Sequence, residues 1–419
     1  MWRAGYRLLL WLAFPWIFVR LWWRGREEPG YRRHIGERFG FYAERPSRPV
    51  IWLHAVSVGE TRASEPLARA LLARYPGSEL LVTQMTATGR ETARAVFGAG
   101  ARLAYLPYDY PFSVRRFLRH FRPRVGLLME TEVWFNLVRE CEAAGVPLLL
   151  VNARMSEKSR RAYASVSPLA REAFARLRAI AAQTAEDAAR LSALGASRVT
   201  QTGNLKFDVV PAHGMKDLAG ELRARFGGRR VLLAASTREG EEELLVDALE
   251  RNPVGDALVV IVPRHPQRFD EVARLLEERG LAFVRRSSGR AVPADCRYFL
   301  GDSMGEMAAY YQACDVAFIG GSLLPYGGQN LIEACALGVP VLLGPYTYNF
   351  AQAAEAAVAA GAGLRVPNPE RAALEGRALL QDPARRARMA EAGLRFCAEH
   401  RGATQRTLAL VEAVLGNSA

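Results

Sequence analysis

From Pro49 onward the chain alternates short, nearly all-apolar runs with longer stretches in which apolar residues recur every three or four positions. The runs VIWLHA, ELLVTQM, RLAYL, RVGLLM, VPLLLVN, AIAAQ and RVTQTG predict strands, and the segments between them, such as TRASEPLARALLARY and YPFSVRRFLRHF, predict amphipathic helices. Strands apolar on both faces belong to a parallel sheet covered by helices, so the alternation predicts an α/β fold. Around PAHGMKD the pattern lapses into proline, glycine and histidine, then resumes with RRVLLAAS, ALVVIVP, LAFVRR, CRYFLGD, DVAFIGG and VPVLLG. Two Rossmann-like lobes joined near residues 205–228, with a cleft between them, are the expected result. The expected division is an N-terminal segment 1–30, a first lobe 31–205, a second lobe 206–400 and a C-terminal helix 401–419 packing back on the first lobe.

The N-terminal stretch MWRAGYRLLLWLAFPWIFVRLWWRGRE breaks the alternation. Its apolar centre, Leu8 to Val19, has arginines on both sides and aromatic residues at both edges, the pattern of a membrane-interface belt. The centre is shorter than the roughly 20 residues of a spanning helix, and Pro15 lies within it, so shallow insertion and a tilted span both stay open. No small-residue cleavage site follows, and the basic bias after the apolar centre keeps the next domain on the cytoplasmic side.

Composition narrows the picture. A chain of 419 residues, half hydrophobic and 24% charged, suits two packed domains. Five scattered cysteines without C-x-x-C spacing predict neither disulfides nor a zinc site, and fit a reducing compartment. The net charge of +13 favours an anionic partner. Ten arginines against four glutamates in the first 50 residues put much of that excess beside the apolar segment. Elsewhere no basic stripe interleaved with aromatics occurs, which argues against nucleic acid.

Candidate chemistry starts with Glu60, which follows the first strand and the small residues Ser57 and Gly59. Ligands of open parallel sheets sit beyond the carboxyl ends of the strands, yet a glutamate at a helix start also complements the macrodipole, and both readings apply. Ser57 as the nucleophile of a hydrolase elbow fails, because such an elbow follows several earlier strands. Glu130 and Glu132, with Trp134 close by, end the fourth strand candidate; they are either a second part of one acidic site or a capping pair. Thr86 to Arg90 ends the second strand candidate and is expected to offer hydrogen bonds to the same mouth. In the second lobe Arg264 and His265 end a strand, Gly301–Met307 opens a helix, and a glycine-rich loop from Gly320 runs into Gln329, Asn330 and a helix bearing Glu333. Free N–H groups of that kind hold phosphate. Neither G-x-x-x-x-G-K-[ST] nor a placed G-x-G-x-x-G occurs, so a nucleotide-sugar site is the better expectation than a P-loop or dinucleotide fold.

The ordered set HAVSVGE, METEVW, N-x-R at Asn152–Arg154, GNLKFD, PRHP, GDSMGEM, GGS and GGQNLIEA is similar to that of the 3-deoxy-D-manno-octulosonic acid (Kdo) transferases of lipopolysaccharide synthesis, from about residue 30 to the end. The resemblance implies a GT-B fold and an inverting, metal-independent transfer of Kdo from CMP-Kdo to a tetra-acylated lipid A precursor, lipid IVA, without a cofactor, at the cytoplasmic face of the inner membrane. It implies Glu60 as general base and donor contacts at Arg264, His265, Gly305, Glu306, Met307, Asn330, Leu331, Ile332 and Glu333, with Lys206 a further partner of the donor's anionic groups. Ser57, Gly59, Glu130 and Glu132 would support the acceptor side, Ala55, Ser57 and Gly59 leaving it room. A UDP-sugar transferase with a lipid-linked acceptor and a non-catalytic membrane-surface binding protein are the alternatives.

Overall fold

The computed structural model describes residues 2–212 and 214–416. They divide into two compact units, one taking the chain up to Val209 and again from Arg401 onward, the other Val210–His400. The boundary thus falls a few residues beyond the one read from the sequence, and Lys206 lies in the first unit. The sharp lapse in pattern comes only after Asp208, because Leu205 and Phe207 are still buried in the first unit's interior.

The first unit holds seven parallel strands, β1 (Val50–His54), β2 (Glu79–Gln84), β3 (Ala101–Tyr105), β4 (Pro123–Met129), β5 (Leu148–Ala153), β6 (Ala179–Ala182) and β7 (Val199–Gln201). Their order is β3-β2-β1-β4-β5-β6-β7, so the direction of winding reverses between β1 and β4. Alternation along β1 sends Ile51 and Leu53 to one helical layer and Trp52 to the other. Trp52 fits because β4 has Gly126 opposite, where a Cβ would stand 2.6 Å from the indole, and its Nε1–H donates to Thr83 Oγ1 at 2.8 Å.

The second unit repeats the plan with β8 (Val231–Thr237), β9 (Leu258–Pro263), β10 (Phe283–Arg285), β11 (Tyr298–Leu300), β12 (Val316–Ile319), β13 (Val341–Leu343) and β14 (Gly363–Arg365), in the order β10-β11-β9-β8-β12-β13-β14. Winding reverses between β8 and β12. Strand β14 escapes the sequence pattern because it is an edge strand of three residues with only Gly363 buried.

Residues Trp2–Glu27 form one helix that continues through Pro15. One edge docks on the first unit: Tyr6 Oη donates to Asp109 Oδ2 at 2.7 Å, Phe14 lies 5.7 Å from Phe39, and Leu21 is buried with Tyr31 and Ala87. The opposite edge leaves Leu12 72% and Trp16 65% exposed. By length and composition the segment Trp2–Arg26 could cross a membrane.

The closing helix, Ala403–Gly416, inserts Val411, Val414 and Leu415 into the layer that holds Leu53 and Leu67. Its first turn is capped from a distance. Asp208 accepts the N–H groups of Gly402 at 2.8 Å and Thr404 at 2.6 Å. Replacing Asp208 with Ala is expected to cost about 1–2 kcal/mol in urea unfolding, as for loss of an N-cap, and Asp208→Asn less. Equal stability of Asp208→Ala and the parent protein would refute this role.

Candidate functional site

In parallel sheets the crevice at the winding reversal is where ligands bind. At the reversal in the first unit, β1 and β4 pair with His54 opposite Leu128, so their exits lie side by side. Glu60 follows β1, and Glu130 and Glu132 follow β4. Ser57 is the N-cap of the helix Val58–Arg74: its hydroxyl accepts Glu60 N–H at 3.2 Å and donates to Glu60 Oε1 at 3.1 Å. Val56 N–H donates to Glu60 Oε2 at 2.8 Å. This S-x-x-E arrangement is a variant of the capping box in which the carboxylate reaches the N–H one residue before the cap, so the structural role of Glu60 is real. The carboxylate nevertheless stays partly exposed, next to exposed Ser57 and Gly59.

Burial, then the charge of Glu130, and less so that of Glu132, raise the Glu60 pKa to about 7 against the pull of its two hydrogen bonds. Glu132, held by Trp134 Nε1–H at 2.9 Å, is itself raised by burial and by Glu130. Neither Glu130 nor Glu132 caps the following helix Phe135–Ala143, whose first-turn N–H groups of Asn136 and Leu137 are instead accepted by Asp109 at 3.0 and 2.7 Å. The capping reading of this pair is thus set aside, and both carboxylates lie within electrostatic reach of Glu60. Lys206 Nζ meets Glu130 Oε1 at 3.2 Å, placed there because Asn152 Oδ1 accepts Leu205 N–H at 3.0 Å. The N-x-R and GNLKFD segments thereby act as one device. Glu130 and Asn152 both adopt left-handed backbone, at φ 55° and 51°, as the chain turns out of β4 and along β5.

Lys206 is engaged by the Glu130 carboxylate within the first unit. Two expectations change here. Ala55 is fully buried in the core and leaves no room for a ligand. Arg90 turns away to pair with Glu37, while Thr86 Oγ1 donates to Val56 O at 3.1 Å and steadies the turn before Glu60.

In the second unit Arg264 Nε donates to Gln329 Oε1 at 3.3 Å. Burial, Arg264 and Arg238 together lower the pKa of His265. Gly305 takes a left-handed φ of 84° just before the helix Met307–Ala313. The carboxylate of Glu306 is occupied by Arg286 at 3.1 Å and Ser303 Oγ at 2.6 Å. Leu331 and Ile332 are buried to 0% and 1% exposure, so a ligand would meet only their backbone, and Ile332 N–H already donates to Asn330 Oδ1 at 3.2 Å. The helix bearing Glu333 is just Ile332–Ala336, with Glu333 in its first turn. So short a helix has little dipole, and loop N–H groups carry any anion binding. Sequence reasoning passed over Arg238 at the end of β8; a cation directly after a strand was its only signal. Among the described residues no group of three or more His, Cys, Asp or Glu side chains is placed to hold a metal ion.

Residues 33–209 match the family model for 3-deoxy-D-manno-octulosonic-acid transferase (kdotransferase), and residues 277–396 match glycosyl transferases group 1. A UDP-GlcNAc 2-epimerase from Neisseria meningitidis superposes with TM-score 0.61 at 16% identity, over 87% of this chain and 99% of that one, a likeness of fold. Two Rossmann-like units with these matches define a glycosyltransferase of the GT-B type. The 3-deoxy-D-manno-octulosonic acid transferase of Bordetella pertussis is 46% identical over 99% of this chain and 100% of its own length. Its Haemophilus influenzae counterpart is 36% identical over 99% of each. The chain belongs to the 3-deoxy-D-manno-octulosonic acid transferase family. That membership sets aside a non-catalytic binding protein.

The native Glu60 pKa of about 7 lies above the ordinary 4.5, so the folded state binds this proton more tightly than the unfolded chain. Stability is therefore lost as pH rises from 4.5 through 7. Glu60→Gln keeps the capping-box geometry and does not titrate. It is expected to match the parent protein at pH 4 and to exceed it by roughly 2 kcal/mol at pH 8, at about 1.4 kcal/mol per pH unit less a discount for partial exposure. Urea melts at the two pH values read the difference, and a pH-independent gap would contradict the shift.

Proposed function

We propose that the enzyme moves Kdo from CMP-Kdo to a hydroxyl of a tetra-acylated lipid A precursor with inversion and without a metal ion. The observation that carries the reading is Glu60: a partly exposed carboxylate at a sheet switch point, fixed by Val56 N–H and Ser57 Oγ–H, with its pKa near neutrality. A base whose pKa lies near the working pH combines an ionised fraction with real proton affinity. The acceptor oxygen attacks the anomeric carbon of Kdo while its proton passes to Glu60. The bond from that carbon to the phosphate oxygen breaks, and CMP leaves with the electron pair. On this reading Arg264 and the N–H groups of Asn330 and Leu331 hold the phosphate and take up its developing charge. Ser57 and Gly59 leave open space in front of the base, since a Cβ on Gly59 would meet nothing nearer than Ser57 Oγ at 3.9 Å.

The helix Trp2–Glu27 supports a location at the cytoplasmic face of the inner membrane. Its docked edge fixes it to the first unit, and its outer edge presents Leu8, Leu9, Leu12 and Trp16 to lipid. Exposed Arg20, Arg24, Arg32 and Arg33 follow, suited to the phosphates of the acceptor and of the membrane surface.

Glu60→Ala is expected to lower Kdo transfer at least about 100-fold while CMP binding, followed by calorimetry, persists. Transfer at the parental rate would remove Glu60 from the role of base. Chelation by EDTA is expected to leave the parental rate unchanged, and a rate restored only by added divalent cation would overturn metal independence. The double variant Leu12→Asp/Trp16→Asp alters only the outer edge and is expected to weaken flotation with anionic vesicles about tenfold or more; unaltered flotation would place the lipid contact elsewhere.

A further inference from the structure

At the winding reversal of the second sheet, β8 separates β9 from β12, and Arg238 stands directly beyond the end of β8. Glu241, fully buried at the head of the helix Glu241–Arg251, staples this turn to the glycine-rich loop. Its Oε2 accepts Arg238 N–H at 2.9 Å and also Gly321 N–H, and its Oε1 accepts Leu323 N–H at 2.9 Å. The two strand exits are pressed so close that a Cβ on Gly320 would stand 2.5 Å from Ser236 O. The Arg238 guanidinium lies 4.5 Å from the centre of the Tyr326 ring, and Tyr326 Oη donates to Glu239 O at 3.1 Å. A Cβ on Gly321 would touch both Arg238 Cγ, at 3.5 Å, and Gln329 Nε2, at 3.1 Å. Gln329 in turn accepts from Arg264, whose own N–H donates to Thr237 O at 3.0 Å. Arg238, Arg264 and His265 thus converge on one patch of glycine backbone.

Charge balance singles out Arg238. Among the described residues no carboxylate pairs with its guanidinium, whereas Arg268, on the turn just after His265, is neutralised by Glu242 and Glu271. Tyr326 covers one face of the guanidinium and leaves its N–H edge, the part that grips a carboxylate in two parallel hydrogen bonds. A CMP-linked octulosonic acid carries two adjacent anions, the phosphodiester and a carboxylate on the same anomeric carbon. Arg264 and the loop account for the first. We infer that Arg238 binds the carboxylate of the donor sugar and so separates an acidic keto-sugar donor from neutral nucleotide sugars. This rests on the reading of the second unit as the donor site.

The test compares two ligands that differ by the acidic sugar: the KM for CMP-Kdo and the inhibition constant of CMP, measured on the full chain in detergent. Arg238→Ala is expected to raise the KM about 10- to 100-fold, the loss of one charge-assisted pair, and to leave the CMP constant within about twofold. Arg238→Gln, which keeps the stem beside Tyr326, should follow Ala, and Arg238→Lys should recover part of the loss. Equal weakening of both ligands would assign Arg238 to the phosphate and overturn the inference while leaving the donor site intact. No change in either ligand would also overturn it. If CMP fails to inhibit the parent enzyme, the donor-site reading falls, and the inference with it.

Discussion

Three carboxylates at the exits of two adjacent strands repel one another, and the first unit is organised around bearing that repulsion. Glu60 cannot swing away, because Val56 N–H and Ser57 Oγ hold its two oxygens. Glu132 is held by the Trp134 indole, and Glu130 is partly neutralised by Lys206. With motion and solvation both restricted, the remaining way to relieve the crowding is to bind a proton, and Glu60 is the group raised to about 7. The cap that starts the helix and the proton affinity that suits a base are thus one arrangement.

The second unit uses the same sheet architecture with the opposite sign. Beyond β8, β9 and β12 stand arginines, a histidine and glycine backbone, and the buried carboxylate of Glu241 is spent on N–H groups of the chain itself. The two helices that its glycine-bearing turns open are short, seven residues at Met307–Ala313 and five at Ile332–Ala336, so there hydrogen-bond donors fixed by loops matter more than helix dipoles. On the proposed function, proton acceptance belongs to one unit and anion binding to the other, which is how a transfer without a metal ion would divide its labour.

Most of strands β1 to β13 were legible because they are short apolar runs between turn residues, and parallel pairing buries both faces; the polar edge strand β7 was legible from its place in the alternation. The three-residue edge strand β14 carries too few side chains to make a pattern. At the site, Glu60, Glu130 and Glu132 could be placed from strand ends alone. What could not be read were partnerships across long sequence separations: Lys206 with Glu130, Arg286 with Glu306, Arg90 with Glu37. Those partnerships decide which charges are available to a ligand. Leu331 and Ile332 illustrate another limit, since a motif names residues without saying whether side chain or backbone faces outward. Arg238 was hidden by its company, a polar TREGEE stretch that reads as an ordinary turn and helix start.

The closing helix has a consequence for biosynthesis. Val411, Val414 and Leu415 fill the layer beside Leu53 and Leu67, yet the ribosome makes them only after the whole of Val210–His400. At 5–20 residues per second that interval is on the order of ten seconds or more, during which the earlier unit waits with an uncovered apolar face. The unit begun later can complete its core sooner, and the nascent chain needs shielding against self-association until its last turn emerges.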